Sequence, residues 1–386
     1  MTFPLVLLAT ALNHVSFKGS KVLLSLFAIE LGASPFTIGV LFAMYSVFPV
    51  LLSVHAGKLA DRLGARTPML FGASGLAAGL LLPFAAPGIA ALYFSAAVVG
   101  LGYIFYVVAV QHLVGSFGEG VARTRNYSLF SITVGVTALV GPVTAGFAID
   151  GFGHRGAYLL LAAIPLAPIA LIALRGGALP APARGASAQP ERRLAALVQN
   201  APLRRALLAA AILETGMELS NFLIPIYARS IGLEASEVGL VMGAFGLALL
   251  IVRSATTELV RRSGEEAVLA VSLVLAACAS LAFPFVGAFA PLAAVAFALG
   301  LGLGCGAPIS LSLAYNRAPA GRSGEAIGLR QTVNKGIEVI MPLLFGSIST
   351  AFGMLPVFWL EALLLAAGGW LMRSDARRQA RRARVL

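Results

Sequence analysis

Apolar residues run along this chain in long blocks separated by short polar and basic turns. Each block is about 20 residues long, the length at which an α-helix crosses the hydrocarbon core of a bilayer. Twelve such spans are predicted, over residues 4–31, 36–56, 67–86, 89–115, 124–148, 156–174, 203–229, 236–257, 267–286, 291–315, 323–350 and 354–372. The pattern lacks the short alternating segments of a membrane barrel. Glycine and proline interrupt several blocks, which membrane helices tolerate when neighbouring helices satisfy the freed backbone. The first block contains Ala9-Thr10-Ala11, as a cleaved leader would. It has no basic start, however, and continues past Lys21 to Leu31, so it reads as a retained helix.

Composition agrees with membrane burial. Of 386 residues 59% are hydrophobic and 11% charged, against about 45–50% and about 25% in soluble domains. Cys278 and Cys305 both lie in apolar blocks, which argues against a disulfide scaffold or a thiolate metal site. No metal or cofactor is expected. The formal net charge of +12 might suggest nucleic acid, but its placement argues otherwise. Lys58, Arg62, Arg66, Arg123, Arg125, Arg261, Arg262, Arg317 and Arg322 fall in one set of loops, and the central loop and the tail add more. The opposite loops hold Arg155 and Arg229. The positive-inside rule then puts both termini in the cytoplasm of a cell (inner) membrane protein. The basic tail is expected to touch anionic lipid headgroups.

The chain repeats itself at an offset of 200 residues. Gly32 and Gly39 match Gly232 and Gly239, Gly64 matches Gly264, Pro142 and Gly146 match Pro342 and Gly346, and Phe152-Gly153 matches Phe352-Gly353. Two pseudo-symmetric six-helix bundles are therefore expected, over 1–174 and 203–386, joined by a Pro-, Ala- and Arg-rich cytoplasmic linker at 175–202. An even number of helices per half makes the repeats parallel, an arrangement that can expose a midplane site to alternate sides.

After the second span the chain reads Gly57-Lys58-Leu59-Ala60-Asp61-Arg62-Leu63-Gly64-Ala65-Arg66. This resembles the G-x-x-x-D-R-x-G-R-[KR] signature of the major facilitator superfamily in sequence and in position. The resemblance implies a twelve-helix transporter fold. It further implies a cytoplasmic gate, with Gly64 part of its motif, in which Asp61, Arg62 and Arg66 latch helix ends in the outward-facing state and Gly57 allows close helix packing. In the repeat copy Arg261 replaces the aspartate. The fifth span carries Gly141-Pro142-Val143-Thr144-Ala145-Gly146, similar to the G-P-x-x-G-G element of drug–proton antiporters with Ala145 in place of one glycine. Gly141, Pro142 and Gly146 would equally kink an ordinary membrane helix. The fourth span departs from those antiporters, with Ala96 and Val99 where they carry Arg and Gln before Gly100.

Charged and polar residues line up inside three spans: His14, Lys18 and Lys21 on the first, Glu214, Glu218 and Asn221 on the seventh, and Gln331, Lys335 and Glu338 on the eleventh. Spacings of three and four residues place each set on one helix face. A lipid-facing charge at mid-bilayer costs about 2.5–3.5 kcal/mol, so these stripes should face the protein interior or a water-filled cavity. The family resemblance implies that the first and seventh helices face each other, which sets Lys18 and Lys21 opposite Glu214 and Glu218. The stripes then form either a static ion-pair network or a proton-coupling site, in which two carboxylates one turn apart favour protonation of one. Lys335 and Glu338 are also spaced to pair along their own helix. Arg253 is expected to snorkel near a cytoplasmic helix end, Glu361 to make a structural contact, and Arg330 either to enter the cavity or to reach headgroups.

No Walker-type phosphate loop occurs, and neither do H-E-x-x-H or G-x-S-x-G, so an ATPase or a membrane-embedded enzyme is disfavoured. The expected function is secondary transport of a small-molecule substrate by a monomer, coupled to protons. Export of a small amphipathic compound is the leading direction. Transport of an organic anion held by Lys18, Lys21 and Lys335 is the alternative.

Overall fold

The computed structural model describes residues 2–117, 120–175, 197, 199–319 and 322–383. Among the described residues it is helical, with no strand. In chain order the helices are α1 (Phe3–Glu30), α2 (Pro35–Leu63), α3 (Arg66–Ala85), α4 (Ile89–Ser116), α5 (Gly120–Ala163) and α6 (Leu166–Arg175). They continue as α7 (Ala201–Ser230), α8 (Ala235–Ser263), α9 (Glu265–Ala282), a single 3₁₀ turn (Phe283–Phe285), α10 (Phe289–Gly304), α11 (Gly306–Asn316), α12 (Ser323–Phe352) and α13 (Leu355–Ala383). Ten segments are long and apolar enough to cross a membrane, and one of these is the 51-residue stretch Arg125–Arg175. The chain is thus a multi-pass membrane protein with about ten to twelve apolar helices. Many large apolar side chains, such as Phe71, Phe94, Val271 and Trp370, are exposed, as lipid contact requires.

Local chemistry sets the helix ends, and the ends recur at the sequence offset. Gly32, Gly64 and Gly153 have φ of 76°, 73° and 70°, and Gly232, Gly264 and Gly353 have 89°, 81° and 81°. Left-handed backbone of this kind costs glycine little and other residues more, so it ends helices or turns them sharply. Gly153 divides α5 in this way, and Gly353 separates α12 from α13. At the starts, Ser34 accepts from the Thr37 amide at 3.2 Å, Asn200 accepts from the Leu203 amide at 3.0 Å, and Glu234 and Glu237 form a capping box at α8.

A different device breaks the helix between α10 and α11. Pro308 has no N–H to give to the Gly304 carbonyl one turn earlier. Arg253 Nε of α8 donates to that carbonyl at 3.3 Å.

Close backbone approach holds the helices together, as expected where lipid supplies no hydrophobic drive between them. A Cβ added to Gly39 of α2 would lie 2.2 Å from the Pro342 carbonyl oxygen of α12, and one at Gly239 of α8 would lie 2.7 Å from the Pro142 oxygen of α5. One turn along, Gly146 abuts the Ala235 carbonyl and Gly346 the Pro35 carbonyl. Gly141 packs on α1, where a Cβ would come within 2.8 Å of Lys18 Cβ. Gly141, Pro142 and Gly146 are therefore three packing points of α5, against α1 and α8.

Candidate functional site

The polar stripes meet where α1, α5, α7, α8 and α12 converge. Lys21 Nζ of α1 lies 3.4 Å from Glu218 Oε2 of α7, with both side chains 9% exposed. The Lys21 ammonium also sits 5.5 Å over the Phe42 ring of α2. On α12, Lys335 pairs with Glu338 along the helix, and Ser46 of α2 donates to Glu338 Oε2 at 2.8 Å. Glu214 has a neutral partner: Asn334 Nδ2 of α12 donates to its Oε2 at 2.7 Å. The two carboxylates of α7, one turn apart, thus have different environments. Glu218 is paired with a cation, whereas Glu214 has no cationic group within 4.0 Å among the described residues.

Beside the Lys21–Glu218 pair lies a cavity of about 130 Å³, with Lys18, Lys21, Asn221 and Arg253 in its lining. Its apolar wall includes Pro142, Met217, Met242, Phe245 and Leu249. Arg253 therefore does not snorkel to a headgroup: it is half-buried, lines the cavity and satisfies the carbonyl freed at Gly304. Arg330 is buried on α12, donating to Ser310 Oγ at 2.8 and 3.1 Å, which excludes a headgroup contact in this conformation. Sequence reasoning does not pick out Asn334 or Ser46, and it places Arg253 at a headgroup instead of in the cavity. The signal for Arg253 was its place on the same helix face as Met242, Phe245 and Leu249.

Two candidates lie apart from these bonds. His14 is fully buried beneath the cavity cations, with Nδ1 3.0 Å from the Thr10 carbonyl and its ring edge-on to Tyr103 at 5.5 Å. Gln331 is exposed on α12, and Asn334 is the buried amide of that helix. Glu361 is buried on α13, outside the cavity lining.

The two ends of the molecule differ. At the end bearing residues 31–35 and 230–235, helices from both parts of the chain are tied together. Asp150 of α5 accepts from the Ala235 and Ser236 amides of α8 at 3.2 and 2.7 Å, and Thr350 Oγ1 of α12 accepts from the Phe36 amide of α2 at 2.9 Å. Asp150 and Thr350 are themselves 200 residues apart, as are the helix starts they meet. A carboxylate at a helix N-terminus also meets the positive end of the helix dipole. Asp150→Ala is expected to weaken this end by about 1 kcal/mol, a factor of about five in its opening equilibrium. Impermeant maleimide labelling of a cysteine introduced at Asn221 checks this, and an unchanged labelling rate from that side would contradict it.

The opposite end carries the Gly57–Arg66 motif. Leu51 and Leu63 of α2 are exposed. A Cβ at Gly57 would meet nothing within 4 Å, so the tight helix contact implied by the family motif is not made in this conformation. Gly64 makes the left-handed turn, Arg62 is exposed, and Arg66 donates to the Ala173 carbonyl of α6 at 2.8 Å. Asp61 lies on α2, with its side chain outside the described residues.

Comparison with known proteins agrees with this architecture. The sequence profile of the Major Facilitator Superfamily matches residues 6–337 and again residues 206–385, with starts 200 residues apart. The multidrug resistance protein MdtG of Dickeya zeae (strain Ech586) is 24% identical over 360 residues, covering 90% of this chain and 86% of that protein. The methylenomycin A resistance protein of Streptomyces coelicolor (strain ATCC BAA-471 / A3(2) / M145) is 34% identical over 110 residues, 28% of this chain and 23% of that one. Among solved structures, a POT family transporter in complex with 5-aminolevulinic acid superposes with a TM-score of 0.82 at 14% identity, covering 97% of this chain and 96% of that one. With a profile match across its length and the same helical architecture, the chain belongs to the Major Facilitator Superfamily, as a membrane transporter and not an enzyme.

Proposed function

We propose that the chain is a proton-coupled secondary transporter that exports a small amphipathic compound across a bacterial inner membrane by alternating access. It acts as a monomer of twelve spans in two six-helix bundles, residues 1–174 and 203–386, with both termini in the cytoplasm. The observation that carries this reading is the Lys21–Glu218 pair, which joins α1 to α7 at the wall of a polar cavity in an otherwise apolar molecule. Buried ionisable groups at membrane depth are costly and cluster on substrate and proton pathways. In this reading the basic loops assign the end with the Gly57–Arg66 motif to the cytoplasm and the tied end to the outside, and the Asp150 and Thr350 ties support a state closed to the outside.

Glu214 is the proton carrier in this reading. Its partner Asn334 suits both protonation states: the amide N–H₂ donates to a carboxylate, and after a flip the amide oxygen accepts from a carboxylic acid. The exporter direction draws support from the resistance proteins among the relatives. Reconstitution in liposomes with an imposed pH gradient tests the proposal, with proton flux followed while organic cations, organic anions and antibiotics are added in turn. Proton movement triggered by at least one compound is expected. A flat response across the panel, in vesicles shown to contain folded protein, would overturn it.

A further inference from the structure

The cavity beside the Lys21–Glu218 pair is unbalanced in charge. Its lining includes three cationic side chains, Lys18, Lys21 and Arg253, and no carboxylate. Glu218 neutralises Lys21 from behind. Glu338 is engaged by Lys335 and Ser46, and Glu214 by Asn334. Lys18 has no carboxylate oxygen within 4.0 Å among the described residues, and neither does Arg253. Arg253 spends Nε on the Gly304 carbonyl, which fixes the guanidinium plane and leaves its two terminal nitrogens for another acceptor. Lys18 is held by close packing at its own Cβ, against Gly141 of α5. Two cations with no carboxylate oxygen within 4.0 Å, one of them fixed by the Gly304 carbonyl, therefore share one partly enclosed space, where low dielectric strengthens their pull on an anion.

The rest of the wall is apolar and soft. Met217, Met242, Phe245 and Leu249 supply it, with Asn221 as a single neutral hydrogen-bonding group. Such a surface accepts a ring or short alkyl body, and methionine adapts to its shape.

We infer that this cavity binds a small amphipathic organic anion, a carboxylate or sulfonate on an apolar ring. The acid group sits between Lys18 and Arg253, and the ring lies against Met217, Met242 and Phe245. This inference rests on the transporter reading and narrows its substrate class.

The test is equilibrium binding, which needs no transport. The full chain in nanodiscs is titrated with radiolabelled phenylacetate in a scintillation proximity assay, with empty nanodiscs subtracted. Unlabelled benzenesulfonate, phenylacetamide and phenethylammonium then compete. Displacement by benzenesulfonate is expected, with the neutral amide and the cation weaker by about tenfold or more, since one lost charged contact is commonly worth that factor. Lys18→Gln with Arg253→Gln should weaken phenylacetate by at least about tenfold, and Lys18→Arg alone, which keeps the charge and leaves Arg253 on the Gly304 carbonyl, should retain most of the binding. Equal competition by the anion, amide and cation would overturn the inference. So would unchanged affinity in the doubly neutralised variant, and so would absence of saturable phenylacetate binding. If a variant does not fold, the charge series on the unaltered protein decides alone. Selective anion binding without any proton flux in liposomes would count against the transporter reading and leave the binding site standing.

Discussion

A Glu214→Gln variant is expected to fold and bind substrate and to lose all transport driven by a pH gradient. Glutamine keeps the size of the side chain and its hydrogen bond to Asn334, but it cannot load or release a proton. Flux driven by the gradient should fall to the level of protein-free liposomes, while gradient-free exchange of labelled for unlabelled substrate continues. Sustained accumulation against a gradient in this variant would remove Glu214 from the coupling mechanism. Glu218→Gln should behave differently, because it strands the Lys21 ammonium next to the cavity. Removing one partner of a fully buried pair costs about 3–5 kcal/mol, less here because the cavity admits water. The readout is thermal stability, and adding Lys21→Met should recover part of the loss if the pair is what holds α1 to α7.

Gly39→Val should be the most disruptive substitution at the tied end. Its Cβ alone would lie 2.2 Å from the Pro342 carbonyl oxygen, a backbone atom that cannot swing aside as a side chain can. Overpacking of this kind costs about 1–3 kcal/mol, and here the cost falls only on the state in which α2 and α12 touch. The population should shift by about fivefold to about 150-fold towards the state open at that end. A cysteine at Asn221 should then react rapidly with impermeant reagent added from the outside, and net transport should stop. Gly239→Val, whose Cβ meets the Pro142 oxygen at 2.7 Å, should produce the same trapping by the matching contact. Normal transport in both variants would show that this end need not close as tightly as the geometry implies.

Helix positions were readable in the sequence because bilayer thickness imposes a length on each apolar block. The first span was expected at 4–31 and α1 runs from Phe3 to Glu30. Where α5 continues past the expected 148 to Gly153, or Pro308 splits the tenth span, a local backbone effect adjusted a boundary that hydrophobicity alone cannot place. Helical spacing also identified which residues share a face. Partners across helices were not legible, because they depend on how each helix is rotated and how deeply it sits. Thus Lys18 and Lys21 share a stripe, yet one is paired with Glu218 and the other is not. Asn334 and Ser46 are ordinary polar residues in sequence and complete the site only once α12 and α2 meet α7 and each other. Gly57 shows a further limit: the motif predicts close packing there, yet a Cβ at Gly57 would meet nothing within 4 Å.

The claim on which the rest depends is that the cavity opens to one side as it closes to the other. Spin labels placed in a Cys278→Ala, Cys305→Ala background measure this directly. One pair goes at Phe152 and Phe352, both exposed at the tied end, and a second pair at Leu63 and Arg261, exposed at the opposite end. Between neutral and acidic buffer, and on adding a transported compound, the first distance should lengthen as the second shortens. Distances that stay fixed under conditions where the same preparation transports, or that lengthen together, would contradict alternating access around this site.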